Sequence, residues 1–192
     1  MEAFLVSLGT VAVAEIGDKT QLLALILAVR FRAPIAVIAG IFAATVANHA
    51  LAAFAGTLIA SWLTPVILAW VLAVSFILMG LWALIPDEAP SEDETTVPSR
   101  FGPFIATTIA FFFVEMGDKT QLATVALGAR YEALAAVAFG TTLGMMVANV
   151  PVVLFGGAIA ERIPAKVMRF AAALIFIALG LAGVATALAY TS

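Results

Sequence analysis

The stretch Glu15-Ile16-Gly17-Asp18-Lys19-Thr20-Gln21-Leu22 recurs one hundred residues later as Glu115-Met116-Gly117-Asp118-Lys119-Thr120-Gln121-Leu122. Seven of the eight residues are identical. The same offset pairs Arg30 with Arg130, Gly40 with Gly140 and Gly80 with Gly180. A shift of one further residue would pair Asn48 with Asn149 and Gly56 with Gly157. Chance does not produce such a correspondence, so the chain reads as a duplicated unit. The halves are 1–86 and 101–192, joined by a linker at 87–100.

Composition says where the duplicated unit resides. Of 192 residues, 64% are hydrophobic and 11% charged, and the mean hydropathy is +1.16. Soluble domains carry about 45–50% apolar and about 25% charged residues, and a chain this short cannot hide so much apolar surface from water. The lipid bilayer is therefore its solvent, and soluble enzymes, nucleic-acid binders and secreted disulfide scaffolds are excluded. The absence of cysteine removes disulfides, thiolate metal sites and Cys nucleophiles. No cofactor is called for.

Spanning helices need about 20 mostly apolar residues. Six stretches qualify, at 3–29, 33–60, 64–86, 103–129, 132–160 and 166–190. The expected fold is all-α and polytopic, with three helices per half. Because three is odd, the second half must enter the membrane from the opposite side, which gives the inverted repeat of secondary transporters. The linker, DEAPSEDETTVPSR, is acidic and rich in Pro, Ser and Thr, so it is expected to be a solvated loop.

Lys and Arg between spans set orientation. With the N-terminus outside, the inner loops hold Arg30, Arg32, Arg100, Arg162, Lys166 and Arg169, and the outer side holds Arg130. Both termini are thus expected outside and the linker in the cytoplasm. Met1–Glu2 provides no basic n-region, and Glu15 and Asp18 interrupt the apolar run, so a retained first helix is expected rather than a signal peptide.

Most charges lie near the water boundary, but Glu15, Asp18, Lys19, Glu115, Asp118 and Lys119 do not. Glu15 lies about 18 Å into its span at about 1.5 Å per residue, which is mid-bilayer. Each such residue costs at least ~2.5–3.5 kcal/mol on insertion scales, so the six must face one another or a wet cavity. On a continuous helix, Glu15 and Asp18 share a face, and Lys19 falls four residues from Glu15 and can pair with it. Gly17 and Gly117 mark close helix packing or an opening of the backbone. A structural salt-bridge cluster is the plain alternative, although buried ion pairs stabilise poorly compared with apolar packing.

Four carboxylates less two ammonium groups leave −2, which one divalent cation would neutralise. Oxygen donors suit hard ions such as Mn²⁺, Ca²⁺ or Mg²⁺. Once the cation leaves, crowded carboxylates take up protons, which supplies a mechanism for cation/proton exchange. Thr20, Gln21, Thr120, Gln121, Asn48 and Asn149 are further oxygen donors. Asn48 and Asn149 could equally hold helices together. For His49 the choice is between a structural hydrogen bond, ligation and proton shuttling. Pro151 is expected to kink the fifth span near Asn149, and Gly140 with Gly144 forms a small-residue packing motif. Competing functions are an exporter of amino acids or small organic cations, an intramembrane acid-pair enzyme, and a cation channel.

The EIGDKT and EMGDKT segments match E-x-G-D-[KR]-[ST], and with them the whole chain resembles the Gdt-type family of six-helix cation/proton antiporters. The resemblance implies a secondary transporter, not an enzyme. Its substrate would be Mn²⁺ or Ca²⁺ exchanged for protons, with Glu15, Asp18, Glu115 and Asp118 as the cation and proton site. The family is similar in architecture to amino-acid exporters of the LysE superfamily. The short chain without a targeting extension favours a prokaryotic inner-membrane member. A homo-oligomer is compatible with these features.

Overall fold

The computed structural model describes residues 1–86, 101–156 and 164–191. The expected acidic loop, together with Glu161 and Arg162, lies outside these residues. Among the described residues the chain is all-helical. The first half supplies α1 (Glu2–Glu15), α2 (Lys19–Phe31), α3 (Pro34–Trp62) and α4 (Pro65–Ala83). The second supplies α5 (Gly102–Glu115), α6 (Lys119–Tyr131), α7 (Leu134–Phe155) and α8 (Ala165–Ala189). Every helix starts one hundred residues after its counterpart. The register holds through α3 and α7, so the shift expected for Asn48 does not occur: Asn149 corresponds to His49, and Ala148 to Asn48.

Among the described residues, four helices, α3, α4, α7 and α8, are long and apolar enough to cross a membrane. The first and fourth expected spans are not continuous helices, which corrects the sequence reading. Each is two short helices separated at the motif. The local chemistry explains the break. Ile16 and Met116 are extended. Gly17 (φ 83°) and Gly117 (φ 79°) then adopt the left-handed region, where a side chain is disfavoured. Asp18 and Asp118 are extended and occupy the N-cap positions of α2 and α6. The two carboxylates of each motif therefore sit on opposite sides of a chain break rather than on one helical face.

Elsewhere the helix ends follow ordinary chemistry. Arg32 (φ 51°) and Glu132 (φ 48°) end α2 and α6 in left-handed conformation, their N–H groups returning to Ala28 and Gly128 O. Proline opens α3 and α4 at the first helical positions, where no amide donor is missed. Thr64 Oγ1 accepts the Ile67 amide at 3.4 Å. α7 stays helical through Pro151.

Packing interleaves the halves. α1 lies on α7 and α5 on α3. A Cβ on Gly140 would sit 2.6 Å from Phe4 O and 3.0 Å from Ser7 Cβ; on Gly40, 2.8 Å from Phe104 O and 2.7 Å from Thr107 Cβ. These contacts are the same pair of positions, exchanged between halves, as a two-fold relationship requires. Gly144, next on α7, meets Leu8 and Ala12, so α1 and α7 run parallel.

The equivalent helices α4 and α8 instead run antiparallel. Gly80 approaches Ile177 while Gly180 approaches Ile77, and Gly183 approaches Ala73. Between them Phe76 stacks on its own counterpart Phe176, with centroids 6.5 Å apart, which marks the pseudo-two-fold axis. Small residues at these crossings let the backbones approach closely. Large apolar side chains such as Leu78, Leu81, Phe139, Leu174 and the tryptophans Trp62, Trp70 and Trp82 are exposed on the outside.

Candidate cation site

The two chain breaks meet. Glu15 and Glu115 are completely buried, and Asp18 and Asp118 are nearly so. Glu15, Asp18 and Asp118 each offer a carboxylate oxygen, and these atoms lie within 4.8 Å of one another. Two come from the first half and one from the second. Lys119, also buried, places Nζ 2.8 Å from Asp18 Oδ1. The observed ion pair therefore joins the halves. Lys19 is less deeply buried than Lys119, and it is the cation acting on Glu115.

Glu15 Oε2 accepts the Thr20 hydroxyl at 2.6 Å. Thr120, Asp118 and Lys119 of the other half also act on this carboxylate. Glu115 lies outside the tight group of three, although the charges of Glu15, Asp118 and Asp18 act on it. Neither of its oxygens has a hydrogen-bond partner among the described residues. A carboxylate stripped of water and donors is neutralised by a proton or a cation.

The remaining sequence candidates divide into supporting and distant groups. Gln21 Oε1 accepts the Gly17 amide at 2.9 Å, and Gln121 Oε1 accepts the Gly117 amide at 2.6 Å. Each glutamine thus satisfies a backbone donor exposed by its break. Gln21 Nε2 further donates to Ala148 O at 2.8 Å, tying the first break to α7. Asn48 Nδ2 donates to Phe112 O at 3.0 Å, one turn before Glu115. Asn149 Nδ2 donates to Met145 O at 3.1 Å, leaving its buried Oδ1 without a partner among the described residues. Of the three roles open to His49, the structural hydrogen bond finds no partner among the described residues: the ring is fully buried and neither nitrogen is bonded there.

A cavity of about 10 Å³, room for roughly one water-sized particle, adjoins the site. It is lined by Gly17, Asp18, Lys119, Arg169, Ala83 and Ala172, among others. Sequence reasoning groups Arg169 with the loop charges and so misses it. Its position within the first turns of the sixth apolar run is the signal that could have found it.

Comparison with known proteins places the chain in a family. A Vibrio cholerae protein described as "Putative manganese exporter" is 54% identical over 183 residues, covering 95% of this chain and 90% of that one. GDT1-like protein 5 of Arabidopsis thaliana is 26% identical over 227 residues, covering 97% and 96%. GDT1-like protein sll0615 of Synechocystis is 28% identical over 198 residues, covering 92% and 93%. No solved structure matches. The family model of the divalent cation/proton antiporter GDT1 matches residues 3–91 and 103–190. Together with the apolar helices, these matches make the protein a multi-pass membrane transporter rather than an enzyme, and the chain belongs to the GDT1 family of divalent cation/proton antiporters.

Proposed function

We propose that this protein exports Mn²⁺ in exchange for incoming protons, with Ca²⁺ the next most suitable ion. The observation that carries the reading is the meeting of buried Glu15, Asp18 and Asp118 from two halves. Three hard oxygen donors suit a divalent ion of this class. Glu115 completes the set, and the four carboxylates with Lys19 and Lys119 sum to −2. As the ion departs, the carboxylates take up the counter-transported protons, and Lys119 stands in for the cation at Asp18. Thr20, Thr120, Asn48 and Asn149 are supporting oxygen donors. Gln21 and Gln121 hold the breaks in shape. The choice of Mn²⁺ over Ca²⁺ follows the relative described as a manganese exporter.

Within the bilayer, each broken pair forms one span, giving six spans in two inverted three-span repeats. From Glu2 to Phe31 the chain has 30 residues, about 45 Å if helical throughout, ample for a hydrocarbon core about 30 Å thick. Unwound backbone at membrane depth is tolerated where protein buries it or a cavity lies beside it. Equivalent helices α4 and α8 packing antiparallel support an axis in the membrane plane. Alternating access then rocks one half against the other around the site. The termini lie outside and residues 87–100 in the cytoplasm of a prokaryotic inner membrane. The small cavity beside Asp18 counts against lysine-like solutes as substrates.

The test is reconstitution into vesicles holding a pH-sensitive dye, comparing Mn²⁺, Ca²⁺ and Mg²⁺ gradients. Mn²⁺ is expected to drive the largest proton flux, and Asp118→Asn to abolish it while the protein still inserts. Full flux in that variant would remove the carboxylates from the site.

A further inference from the structure

The two chain breaks are not covered alike. A Cβ on Gly17 would lie 3.0 Å from Ala165 Cβ, so the first turn of α8 sits directly on the first break. A Cβ on Gly117 would meet nothing within 4 Å, so Pro65, the counterpart of Ala165, makes no such contact. One turn beyond Ala165, on the same face of α8, Arg169 is half-buried and lines the small cavity together with Asp18 and Lys119. No ion pair of Arg169 is formed among the described residues. Its counterpart in α4 is Ala69, so this charge is present on one side of the pseudo-symmetric site alone.

Arg169 changes the charge arithmetic. Four carboxylates and two lysines give −2, and an adjacent guanidinium reduces this to −1. Arg169 also shares the wall of the small cavity with Asp18.

Resting on the cation site just proposed, we propose that Arg169 controls entry to it. The guanidinium closes the α8 side as a third positive charge, and a divalent ion reaches Asp18 only when the first turns of α8 withdraw it. Arg169 is a positioning and access residue, not a ligand. Neutralising it lowers the barrier to ion entry from the side where α8 begins. Keeping the charge with a lysine preserves the barrier.

Full-length Arg169→Gln and Arg169→Lys in dye-loaded vesicles test this through the dependence of proton flux on Mn²⁺ concentration. Arg169→Gln is expected to lower KM for Mn²⁺ about tenfold, the scale of one unit charge removed at close range. Arg169→Lys is expected to keep the original KM within about twofold. An unchanged or raised KM in Arg169→Gln overturns the proposal. A second measurement needs no change at Arg169. The chain has no cysteine, so Ala172→Cys reports cavity access through its rate of modification by a water-soluble maleimide. Saturating Mn²⁺ is expected to raise that rate severalfold, and an unchanged rate overturns withdrawal of α8. Asp18→Asn separates the two levels. If it retains full flux, the cation site is wrong. If it is inactive while Arg169→Gln keeps the original KM, the gate alone is wrong.

Discussion

Lys119 Nζ lies 2.8 Å from Asp18 Oδ1, so a lysine of the second half occupies the aspartate of the first. The pair is buried within a group of carboxylates, and removing one member of such a pair costs ~3–5 kcal/mol because the other is left uncompensated. Here a cation can supply what the lysine gave. Lys119→Gln is therefore expected to melt at a lower temperature than the parent protein in metal-free detergent. Mn²⁺ is expected to raise its Tm more than it raises the parent's, because at a fixed concentration a ligand that binds the folded state more tightly stabilises it more. Equal Mn²⁺-induced shifts would mean that the lysine and the ion do not compete for Asp18.

The glutamines of the two motifs offer a second comparison. Gln21 accepts from Gly17 N and donates to Ala148 O, whereas Gln121 accepts from Gly117 N. Loss of Gln21 removes two hydrogen bonds, from the Gly17 amide and to Ala148 O, at ~0.5–1.5 kcal/mol each. Loss of Gln121 strands an amide at an exposed glycine, for ~0.5–1.5 kcal/mol. Gln21→Ala is expected to lower Tm clearly more than Gln121→Ala, with the KM for Mn²⁺ little changed by Gln121→Ala. A large rise in KM for Gln121→Ala with no loss of Tm would make this glutamine a ligand instead of a cap.

The duplication and the burial of the motif charges were legible because both are carried by residue identity. A repeated octapeptide survives any folding, and six ionisable groups inside apolar runs have few places to go. The break was only half legible: Gly17 and Gly117 marked either close packing or an opening of the backbone, and nothing in the sequence chose between them. Apolar periodicity runs through Glu15-Ile16-Gly17-Asp18, and a glycine in a helix is costly but tolerated. What decides against a helix there is the pairing of the Gly17 amide with Gln21 and the seating of Asp18 at the next N-cap. The cross-half partner of Asp18 was hidden for a related reason. On a continuous helix Lys19 is the near neighbour of Glu15, and only tertiary packing brings Lys119 to Asp18. Arg169 shows the limit of counting charges by loop, because its helix starts at Ala165 and carries it inward.

Gly17 and Gly117 share a conformation but not a setting, so the same substitution separates backbone strain from packing. Both have positive φ, 83° and 79°, where an L-residue pays about 1–2 kcal/mol. At Gly117 that is the whole steric cost, since a methyl added there would have no atom within 4 Å. At Gly17 the methyl would also meet Ala165 at 3.0 Å to Cβ and 3.1 Å to Cα. Backbone is the harder neighbour to move, and overpacking typically adds ~1–3 kcal/mol. Gly17→Ala is therefore expected to be the less stable of the two in detergent melts. It should also push the first turn of α8 away from the break, so a cysteine at Ala172 in that background is expected to react faster with maleimide than in the Gly117→Ala background. Equal Tm losses and equal labelling rates would show that α8 does not rest on the first break, leaving conformational strain as the sole reason for both glycines.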